Sequence, residues 1–399
     1  MEIPLLDLKR QYLQIRTDAE AAIHSVLASG KYIMGENVLH FEREFASYCG
    51  VKHAVSVANG TDGLTIALRS LGIRPGDEVI TSPFTFFATA ESISSVGARP
   101  VFVDVRSDTF NIDETLIEAA ITENTRAIMP VHLFGQTAAM DEINHIAEKY
   151  GLRVVEDACQ AAGACYKGKK TGSLGHMGVF SFFPSKNLSC AGDGGMITTN
   201  DDRLAVICRA LRSHGSGEAG RQAFYYMDSE NCEPTDDDIP CNKYCNYLIG
   251  YNSRMDEIQA AILRIKLKKL DSYNRRRREI SAVYNRELQE TGYITPATVP
   301  DNEPAFHLYV LQCENREQII EYLQQKGIGT GIYYPVPQHL QKAFRELNYV
   351  PGTMPAAEYF TRHTFAIPCF PEMTAEEQAY IIQTLKDALG TLKGGLNNG

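Results

Sequence analysis

Two hydrophobic periods alternate along residues 50–200. Short runs of apolar and β-branched residues, which are typical of buried strands, occur at 53–57, 78–81, 100–105, 127–132, 153–156, 178–183 and 195–199. Between them, apolar residues return every three or four positions at 63–71, 89–96, 113–120 and 140–150, as on one face of a helix. This alternation predicts an α/β fold whose central sheet is mostly parallel and is covered by helices on both faces.

The rest of the chain predicts a second, smaller unit. Residues 201–212 and 253–293 are predicted to be helical, and residues 215–246 between them form a polar, irregular insertion. Beyond residue 300, short strands at 308–311 and 329–334 alternate with helices at 316–326 and 375–392. We therefore expect a large domain over 1–255, with an N-terminal segment that could pack on the other domain. A smaller α+β domain over 256–392 and a disordered tail over 393–399 should follow.

Composition narrows the class of protein. The 399 residues include 39 Lys and Arg against 49 Asp and Glu, a net charge of −10. This balance argues against binding to nucleic acid and to an anionic membrane surface. No apolar run approaches the ~20 residues that span a bilayer. Residues 1–12 lack an apolar signal core, so we expect a soluble cytoplasmic protein.

Ten cysteines are scattered through predicted strands and helices, which favours reduced thiols in an intracellular protein. Cys232, Cys241 and Cys245 cluster, and three thiols could in principle hold zinc. A tetrahedral structural site needs four ligands, and no fourth Cys or His is near in sequence. We therefore predict no metal site.

The turn after the first predicted strand could hold a phosphate. It reads Asn-Gly-Thr-Asp-Gly and places Gly60, Thr61 and Asp62 at the start of a helix. Backbone N–H groups are free at such a position, and the threonine adds a hydroxyl. The same residues also suit an ordinary turn with an N-cap, so this segment alone leaves both interpretations open.

Two further strand ends carry a carboxylate and a lysine. Asp157 ends an apolar strand, where its charge is costly unless it meets a cation such as a protonated pyridine nitrogen; the alternative is a helix N-cap. Lys186 follows a strand that contains Ser181 and precedes a glycine-rich loop, although a single loop lysine is usually a solvated surface charge. Together the three segments fit pyridoxal 5′-phosphate (PLP), which needs a lysine, an acid and phosphate donors.

Eight motifs along the chain resemble the DegT/DnrJ/EryC1/StrS family of sugar aminotransferases. They are SGKYIMG (29–35), NGTDGL (59–64), GDEVITSPFTFFATA (76–90), PVHLFGQ (130–136), EDACQAAGA (156–164), FSFFPSKNLSCAGDGG (180–195), GYNSRMDEIQAA (250–261) and YYPVPQHLQ (333–341). The resemblance covers about residues 3–390. It implies the aspartate-aminotransferase fold (fold type I), PLP as cofactor, and a homodimer with shared active sites.

The motifs also imply roles for individual residues. Lys186 resembles the lysine that forms the Schiff base and shuttles the proton, and Asp157 resembles the partner of the pyridine nitrogen. The other implied cofactor contacts are Gly60, Thr61, Asp62 and Ser181 at the phosphate, Gln160 at the phenolic oxygen, Phe86 on the ring face and Asn252 at the neighbouring subunit's phosphate. Substrate-binding roles are implied for Tyr333 and His339.

Four of these positions have a simpler interpretation from the residues alone. Phe86 could be a core residue, and Asn252 could cap a helix that starts near Ser253. Gln160 could be an exposed helix residue, and Ser181 could satisfy only local backbone. The joint match of the motifs weakens the simpler interpretations less at these positions than at the Schiff-base lysine and at the aspartate beside the ring nitrogen.

The resemblance implies a transamination in two halves. An amino donor, usually glutamate in this family, gives up its amino group, which then goes to a keto sugar. That sugar is commonly a 3- or 4-keto sugar linked to dTDP or UDP, for amino-sugar biosynthesis in surface polysaccharides or natural products. A dehydratase branch of the family has histidine at the position of Lys186, so the lysine favours transamination.

Two departures from the family pattern bear on the substrate. Many relatives have histidine where Tyr333 stands. Members that act on uronic acids often have a basic residue shortly before the Gly-x-Asn motif, and residues 244–249 contain none. An uncharged keto sugar is therefore favoured over a sugar acid. The open alternatives are a keto-cyclitol or sugar phosphate as acceptor, and a non-catalytic regulatory protein with the same fold.

Overall fold

Twelve strands form in the computed structural model, which describes residues 1–227 and 244–396. They are β1 (His53–Val57), β2 (Glu78–Thr81), β3 (Arg99–Phe102), β4 (Thr125–Met129), β5 (Arg153–Asp157), β6 (Cys165–Tyr166), β7 (Lys169–Lys170), β8 (Met177–Ser181), β9 (Gly195–Thr199), β10 (Asn302–Glu303), β11 (Tyr309–Gln312) and β12 (Thr364–Ile367). Seven of them build one sheet in the order β1-β9-β8-β5-β4-β2-β3. Only β9 runs antiparallel to its neighbours in that sheet, so the predicted mostly parallel sheet is confirmed.

Twelve α-helices accompany the strands within the described residues. They are α1 (Leu8–Ser29), α2 (Glu36–Cys49), α3 (Gly60–Ser70), α4 (Ala88–Ser95), α5 (Met140–Tyr150), α6 (Asp202–Leu211), α7 (Gly217–Met227), α8 (Glu257–Leu267), α9 (Leu270–Leu288), α10 (Arg316–Gln325), α11 (Pro355–His363) and α12 (Ala375–Leu396). None of these helices combines the length and the apolar character that a bilayer crossing requires.

Both faces of the large sheet are covered, as the alternation of apolar residues predicts. On one face, α3, α4 and α6 pack on strand residues such as Val55, Val57 and Val179. On the other face, α2 and α8 pack on Ala54 and Phe180, and α5 packs on neighbouring strands. Successive strand residues therefore alternate between two cores, and the carboxyl ends of the parallel strands β1, β2, β5 and β8 meet at one edge.

A separate core lies in the C-terminal part of the chain. The antiparallel pair β11–β12 packs there with α10, α12 and the second half of α9. Ile3, at the N-terminus, is buried in the same cluster. Along α9, Leu270 still packs with the large-sheet cluster, whereas Ile280 belongs to the C-terminal cluster. The change of packing partner therefore falls inside α9, within residues 256–392, and the predicted domain boundary after residue 255 stays a prediction.

Several predicted elements differ from the structure. The helix predicted over 113–120 is two short 3₁₀ turns, Glu114–Leu116 and Glu118–Ala120, because Ile117 is the one fully buried apolar residue there to hold a longer helix. The helix over 253–293 is two helices, α8 and α9, with no Gly or Pro at the break. The strand over 329–334 does not form, because Ile328 and Gly331 bridge to different partners, Ile3 and Ala366.

The insertion and the tail also depart from expectation. Residues 215–246 were expected to be irregular, but α7 occupies their first part; residues 228–243 lie outside the described residues. The tail over 393–399 was expected to be disordered, but α12 continues to Leu396, and residues 397–399 lie outside the described residues.

Strand β5 ends in two adjacent buried carboxylates, Glu156 and Asp157. The Glu156 side chain is fully buried and accepts four hydrogen bonds. Its donors are the amides of Gly172 (2.7 Å), Leu174 (2.7 Å) and Gly175 (2.8 Å) and Nε2 of His132 (3.1 Å). Glu156 therefore ties the loop before β8 to the end of β5.

We expect Glu156→Ala to destabilise the protein strongly. The substitution leaves one buried and two partly buried amides without their acceptor, and the loss at a buried group costs about 1–3 kcal/mol. The free energy of unfolding, measured by urea denaturation, should fall by roughly 3 kcal/mol or more. Glu148→Ala, at an exposed position on α5, is the control. Equal losses in both variants would contradict this account of Glu156.

Candidate active site

A cavity of about 790 Å³ lies at the carboxyl ends of the parallel strands. It brings together most of the residues singled out in the sequence. The predicted residues that line it are Gly60, Thr61, Asp62, Phe86, Asp157, Gln160, Ser181, Lys186 and Tyr333. They come from the loops after four different strands and from the C-terminal part of the chain. The predicted phosphate-binding turn, the strand-end aspartate and the loop lysine thus meet in this cavity.

The start of α3 supplies free amides to this cavity. Asn59 caps the helix, and its Oδ1 accepts the amide N–H of Asp62 (2.8 Å). The amide of Gly63 donates to the carbonyl of Asn59 (3.1 Å). The amides of Gly60 and Thr61 donate to no atom of the described residues, so these two can hold a phosphate oxygen. The amide of Asp62 is already used by the cap, so the cradle offers two free amides, those of Gly60 and Thr61.

Gly60 also sets how closely α3 approaches β8. A Cβ atom at Gly60 would lie 2.9 Å from Cβ of Ser181 and 3.0 Å from Sγ of Cys159. Only a residue without a side chain brings the two free amides beside the Ser181 hydroxyl without displacing β8. The Oγ of Ser181 accepts a long bond from the amide of Phe183 (3.4 Å), so its proton can point to a ligand.

The carboxylate of Asp157 is buried but has unused hydrogen-bond acceptor sites. It is 4% exposed; its Oδ2 accepts from Oγ1 of Thr89 (2.8 Å), and its Oδ1 accepts from the amide of Cys159 (3.2 Å). No helix begins at this point of the described chain, so the N-cap alternative fails. A carboxylate has about four acceptor sites, and the remaining ones can take an N–H from a pyridinium ring.

Lys186 lines the same cavity from the loop after β8. Burial lowers the pKa of its ammonium, and the nearby Cys159 and Asp157 oppose that shift only in part. The next residue, Asn187, anchors the loop through bonds from Nδ2 to Oδ1 of Asn274 (2.8 Å) and to the carbonyl of Ala305 (2.7 Å). The lysine is thus held on a fixed loop, with an amine that loses its proton more readily than a surface lysine.

Gln160 is buried and oriented by two hydrogen bonds. Its Oε1 accepts the amide N–H of Phe134 (3.0 Å), so its Nε2 is the donor and reaches Oη of Tyr334 (3.0 Å). Gln160 is therefore not an exposed helix residue. Phe86 is 56% exposed, with its ring 6.1 Å from that of Tyr334, so it is not a core residue and is available for stacking.

Sequence reasoning missed several cavity residues from distant parts of the chain. They are Leu5, Leu6, Thr89, Asp193, Arg277, His307 and Tyr334. Arg277 is buried, and its Nη1 donates to the carbonyls of Phe306, His307 and Cys369. Burial, together with Lys186 and Arg277, lowers the pKa of His307 well below its usual value, so its imidazole is neutral. Three residues of this list, Thr89, Asp193 and Tyr334, lie inside the motifs quoted above, whereas no local sequence signal marks the other four.

Two predicted site residues lie outside the cavity. His339 is 2% exposed, and its Nε2 is 3.2 Å from Oε1 of Glu358, so its position does not support the predicted contact with substrate. Asn252 is exposed and pairs through its backbone with Ser213. It does not cap α8, which begins at Glu257 after Asp256, and its role across a dimer stays a prediction.

The described residues contain no cluster of three or more His, Cys, Asp or Glu side chains suited to hold a metal ion. Two of the three clustered cysteines, Cys232 and Cys241, lie outside the described residues. The cavity instead fits PLP, because it has a lysine with a lowered pKa, a buried carboxylate with free acceptor sites, and two unpaired amides at a helix start.

Comparisons with known proteins agree with this geometry. A family model described as the DegT/DnrJ/EryC1/StrS aminotransferase family matches residues 13–386. The chain is 44% identical over 390 residues to a pleiotropic regulatory protein from Geobacillus stearothermophilus, which covers 97% of this chain and 98% of that protein. It is 41% identical over 386 residues, 96% of each chain, to dTDP-3-amino-3,4,6-trideoxy-alpha-D-glucose transaminase from Streptomyces venezuelae.

Solved structures match over a similar extent. A crystal structure of S. venezuelae DesV superposes with a TM-score of 0.90 at 40% identity and covers 97% of this chain and 98% of that one. Further matching structures were solved in a PLP form or with bound PMP.

We expect Gly60→Ala to weaken the cradle. The new Cβ would push the start of α3 away from β8, and such overpacking costs about 1–3 kcal/mol, or roughly 5- to 150-fold in affinity. Titration of the cofactor-free protein with PLP, followed by fluorescence, measures the dissociation constant. Gly390→Ala, where a Cβ meets nothing within 4 Å, is the matched control. Wild-type affinity in Gly60→Ala would refute the cradle.

The lowered pKa of Lys186 predicts a pH dependence. The neutral amine reacts with an aldehyde, so capture of pyridoxal by the cofactor-free protein should rise with pH and level off below the ordinary lysine pKa of about 10.4. The unfolded chain binds this proton more tightly, so the lysine's contribution to stability should increase with pH between its lowered pKa and about 10.4. Lys186→Arg gives the background from other lysines. A capture profile centred at the ordinary lysine pKa would contradict the desolvation of this amine.

Proposed function

This chain belongs to the DegT/DnrJ/EryC1/StrS aminotransferase family and is a PLP-dependent aminotransferase, and on that basis we propose the reaction it catalyses. It transfers an amino group from glutamate to a nucleotide-linked 3- or 4-keto sugar, in amino-sugar biosynthesis. The observation that carries this proposal is the convergence of Lys186, Asp157 and the free amides of Gly60 and Thr61 on one cavity. The transaminase relative from S. venezuelae supports a nucleotide-linked acceptor.

The chain's own groups divide the work of the reaction. When bound, PLP supplies a conjugated ring that stabilises negative charge at the carbon next to the transferred nitrogen. Asp157 holds the proton on the ring nitrogen, because its buried carboxylate favours a cationic partner. The amides of Gly60 and Thr61, with the Ser181 hydroxyl, bind the phosphate.

Lys186 moves the proton. As a neutral amine, its Nζ would take a proton from the donor's α-carbon. It would then give that proton to the carbon on the other side of the transferred nitrogen. The depressed pKa keeps a larger fraction of this amine neutral than in a surface lysine. Gln160 Nε2 is directed into the cavity, where it can donate to an anionic oxygen on the ring, and Phe86 covers the ring face.

The sugar ring that suits this cavity carries no carboxylate. Tyr333 lines the cavity where many family members have histidine, and residues 244–249 carry no basic side chain. Neither feature supplies a cation for a sugar carboxylate, so burying that carboxylate would cost free energy. A keto sugar without a carboxylate is therefore the preferred acceptor; a keto-cyclitol or sugar phosphate is the alternative within the same reaction class.

A regulatory role is the second candidate, and the name of the Geobacillus relative is the observation that favours it. The enzyme is preferred because the lysine, the carboxylate and the free amides all lie in one cavity. We also propose that the protein is a cytoplasmic homodimer. Asn252 is exposed and lies outside its own subunit's cavity, as a residue offered to the partner's phosphate would be.

Removal of Lys186 tests the proposed reaction. The wild-type protein, given glutamate and a panel of nucleotide-linked keto sugars, should form 2-oxoglutarate and an amino sugar, both detected by mass spectrometry. Lys186→Ala should lower the rate by roughly 10²- to 10⁴-fold, because the proton carrier is lost. Lys149→Ala, on the exposed face of α5, should leave the rate unchanged. PLP binding without any reaction with an amino donor would favour the regulatory alternative.

A further inference from the structure

The N-terminal residues 2–7, here called the strap, lie across the C-terminal part of the chain. Ile3 is 1% exposed in its core. The amide of Ile3 donates to the carbonyl of Gly327 (2.8 Å), and the amide of Gly329 donates to the carbonyl of Ile3 (2.8 Å). The strap is thus fixed in register by paired backbone hydrogen bonds on both sides of one residue.

Three alternating glycines provide the surface on which the strap lies. A Cβ at Gly327 would be 2.4 Å from the carbonyl oxygen of Met1, and one at Gly329 would be 2.6 Å from the amide nitrogen of Leu5. A Cβ at Gly331 would be 3.1 Å from Cδ2 of Leu5. Residues 327–331 read Gly-Ile-Gly-Thr-Gly, so the side-chain-free face of this segment accommodates the strap by close backbone approach.

This docking brings Leu5 and Leu6 into the wall of the active cavity. Leu5 also packs on the aromatic cluster that contains Phe84 and Phe360, and Leu6 packs on the C-terminal core. Both side chains are only half-buried, so each keeps a surface on the cavity. Most polar residues that line the cavity come from the ends of the strands and the loops after them, and the two leucines add apolar surface to it.

The polar groups of the strap point elsewhere. Oδ1 of Asp7 accepts the amide N–H of Arg10 at the start of α1, and its Oδ2 is 3.1 Å from Nε of Arg10. Glu2 and Pro4 are exposed and do not line the cavity. The strap therefore offers the cavity two aliphatic side chains and no hydrogen-bonding side chain. A hydroxyl or carboxylate placed against it would lose its hydrogen bonds to water without replacement.

We propose that Leu5 and Leu6 contact the acceptor sugar and select a deoxygenated edge, a methyl rather than a hydroxymethyl or carboxylate group. This inference rests on the proposed function, because it concerns the acceptor of that reaction. The strap is expected to act on the second half of the reaction, because glutamate, the donor of the first half, has no such sugar edge. Leu5 and Leu6 are thus specificity-determining residues for the acceptor.

The test compares two dTDP-linked 3-keto sugars that differ only at C6, which is a methyl group in one and a hydroxymethyl group in the other. The holoenzyme should aminate the methyl sugar with the higher kcat/KM. Leu5→Asn and Leu6→Asn should each reduce this preference roughly 10- to 100-fold, because an amide can satisfy the hydroxyl. The half-reaction with glutamate, followed by cofactor absorbance, should stay at the wild-type rate. Leu8→Asn, an exposed position just beyond the strap, is the matched control.

A second variant moves the strap without changing the two leucines. In Gly329→Ala the Cβ collides with the backbone of Leu5, so the same loss of preference is expected, again with an intact glutamate half-reaction. Gly390→Ala, which meets nothing within 4 Å, controls for the substitution itself. Unchanged preference in all strap variants would overturn the inference and leave the proposed function standing. A wild-type enzyme that reacted with glutamate but aminated neither these two sugars nor any other nucleotide-linked 3- or 4-keto sugar would overturn both.

Discussion

The site depends on the different pairing of two adjacent carboxylates at the end of β5. Successive residues of a strand point to opposite faces, so Glu156 and Asp157 diverge. Glu156 accepts hydrogen bonds from four donors of the protein, which fill its acceptor sites. Asp157 accepts only two, so it keeps acceptor sites for a ligand. Because the first carboxylate fixes the strand end to the loop before β8, the second is held still. A buried anion held in this way favours a cation in the cavity.

The chemistry also needs the C-terminal part of the chain, which holds the loop that carries the lysine. Asn187, next to Lys186, is bonded to Asn274 and Ala305, and Arg277 donates to three backbone carbonyls. These contacts join the loop after β8 to α9 and to residues 305–307. Burial is the main cause of the lowered lysine pKa. The nucleophile therefore comes from the loop after a sheet strand, whereas the position of that loop depends on contacts with the C-terminal part.

The parts of this protein that could be predicted from the sequence are those with local signals. Strands 53–57, 78–81 and 195–199 and helix 140–150 are confirmed with their bounds, and the motifs identified the family and the cofactor correctly. The break between α8 and α9 lacks a Gly or Pro, so no local residue signal marks it. Arg277, His307 and the strap leucines reach the cavity only through tertiary packing. The alternating glycines of 327–331 were the one local signal of a close backbone approach there.

The net charge of −10 does not decide what the cavity binds. The cationic side chains that line the cavity are Lys186 and Arg277, the nearby His307 is neutral, and two backbone amides at the start of α3 are free to bind a phosphate. Such groups are fixed by sheet topology and hydrogen bonds, so the polar wall can hardly vary without loss of the cofactor. The strap is constrained differently, since its register is set by backbone bonds and glycines while the side chains at positions 5 and 6 are free to differ. Acceptor preference can therefore change on this wall without disturbing the groups that carry the reaction.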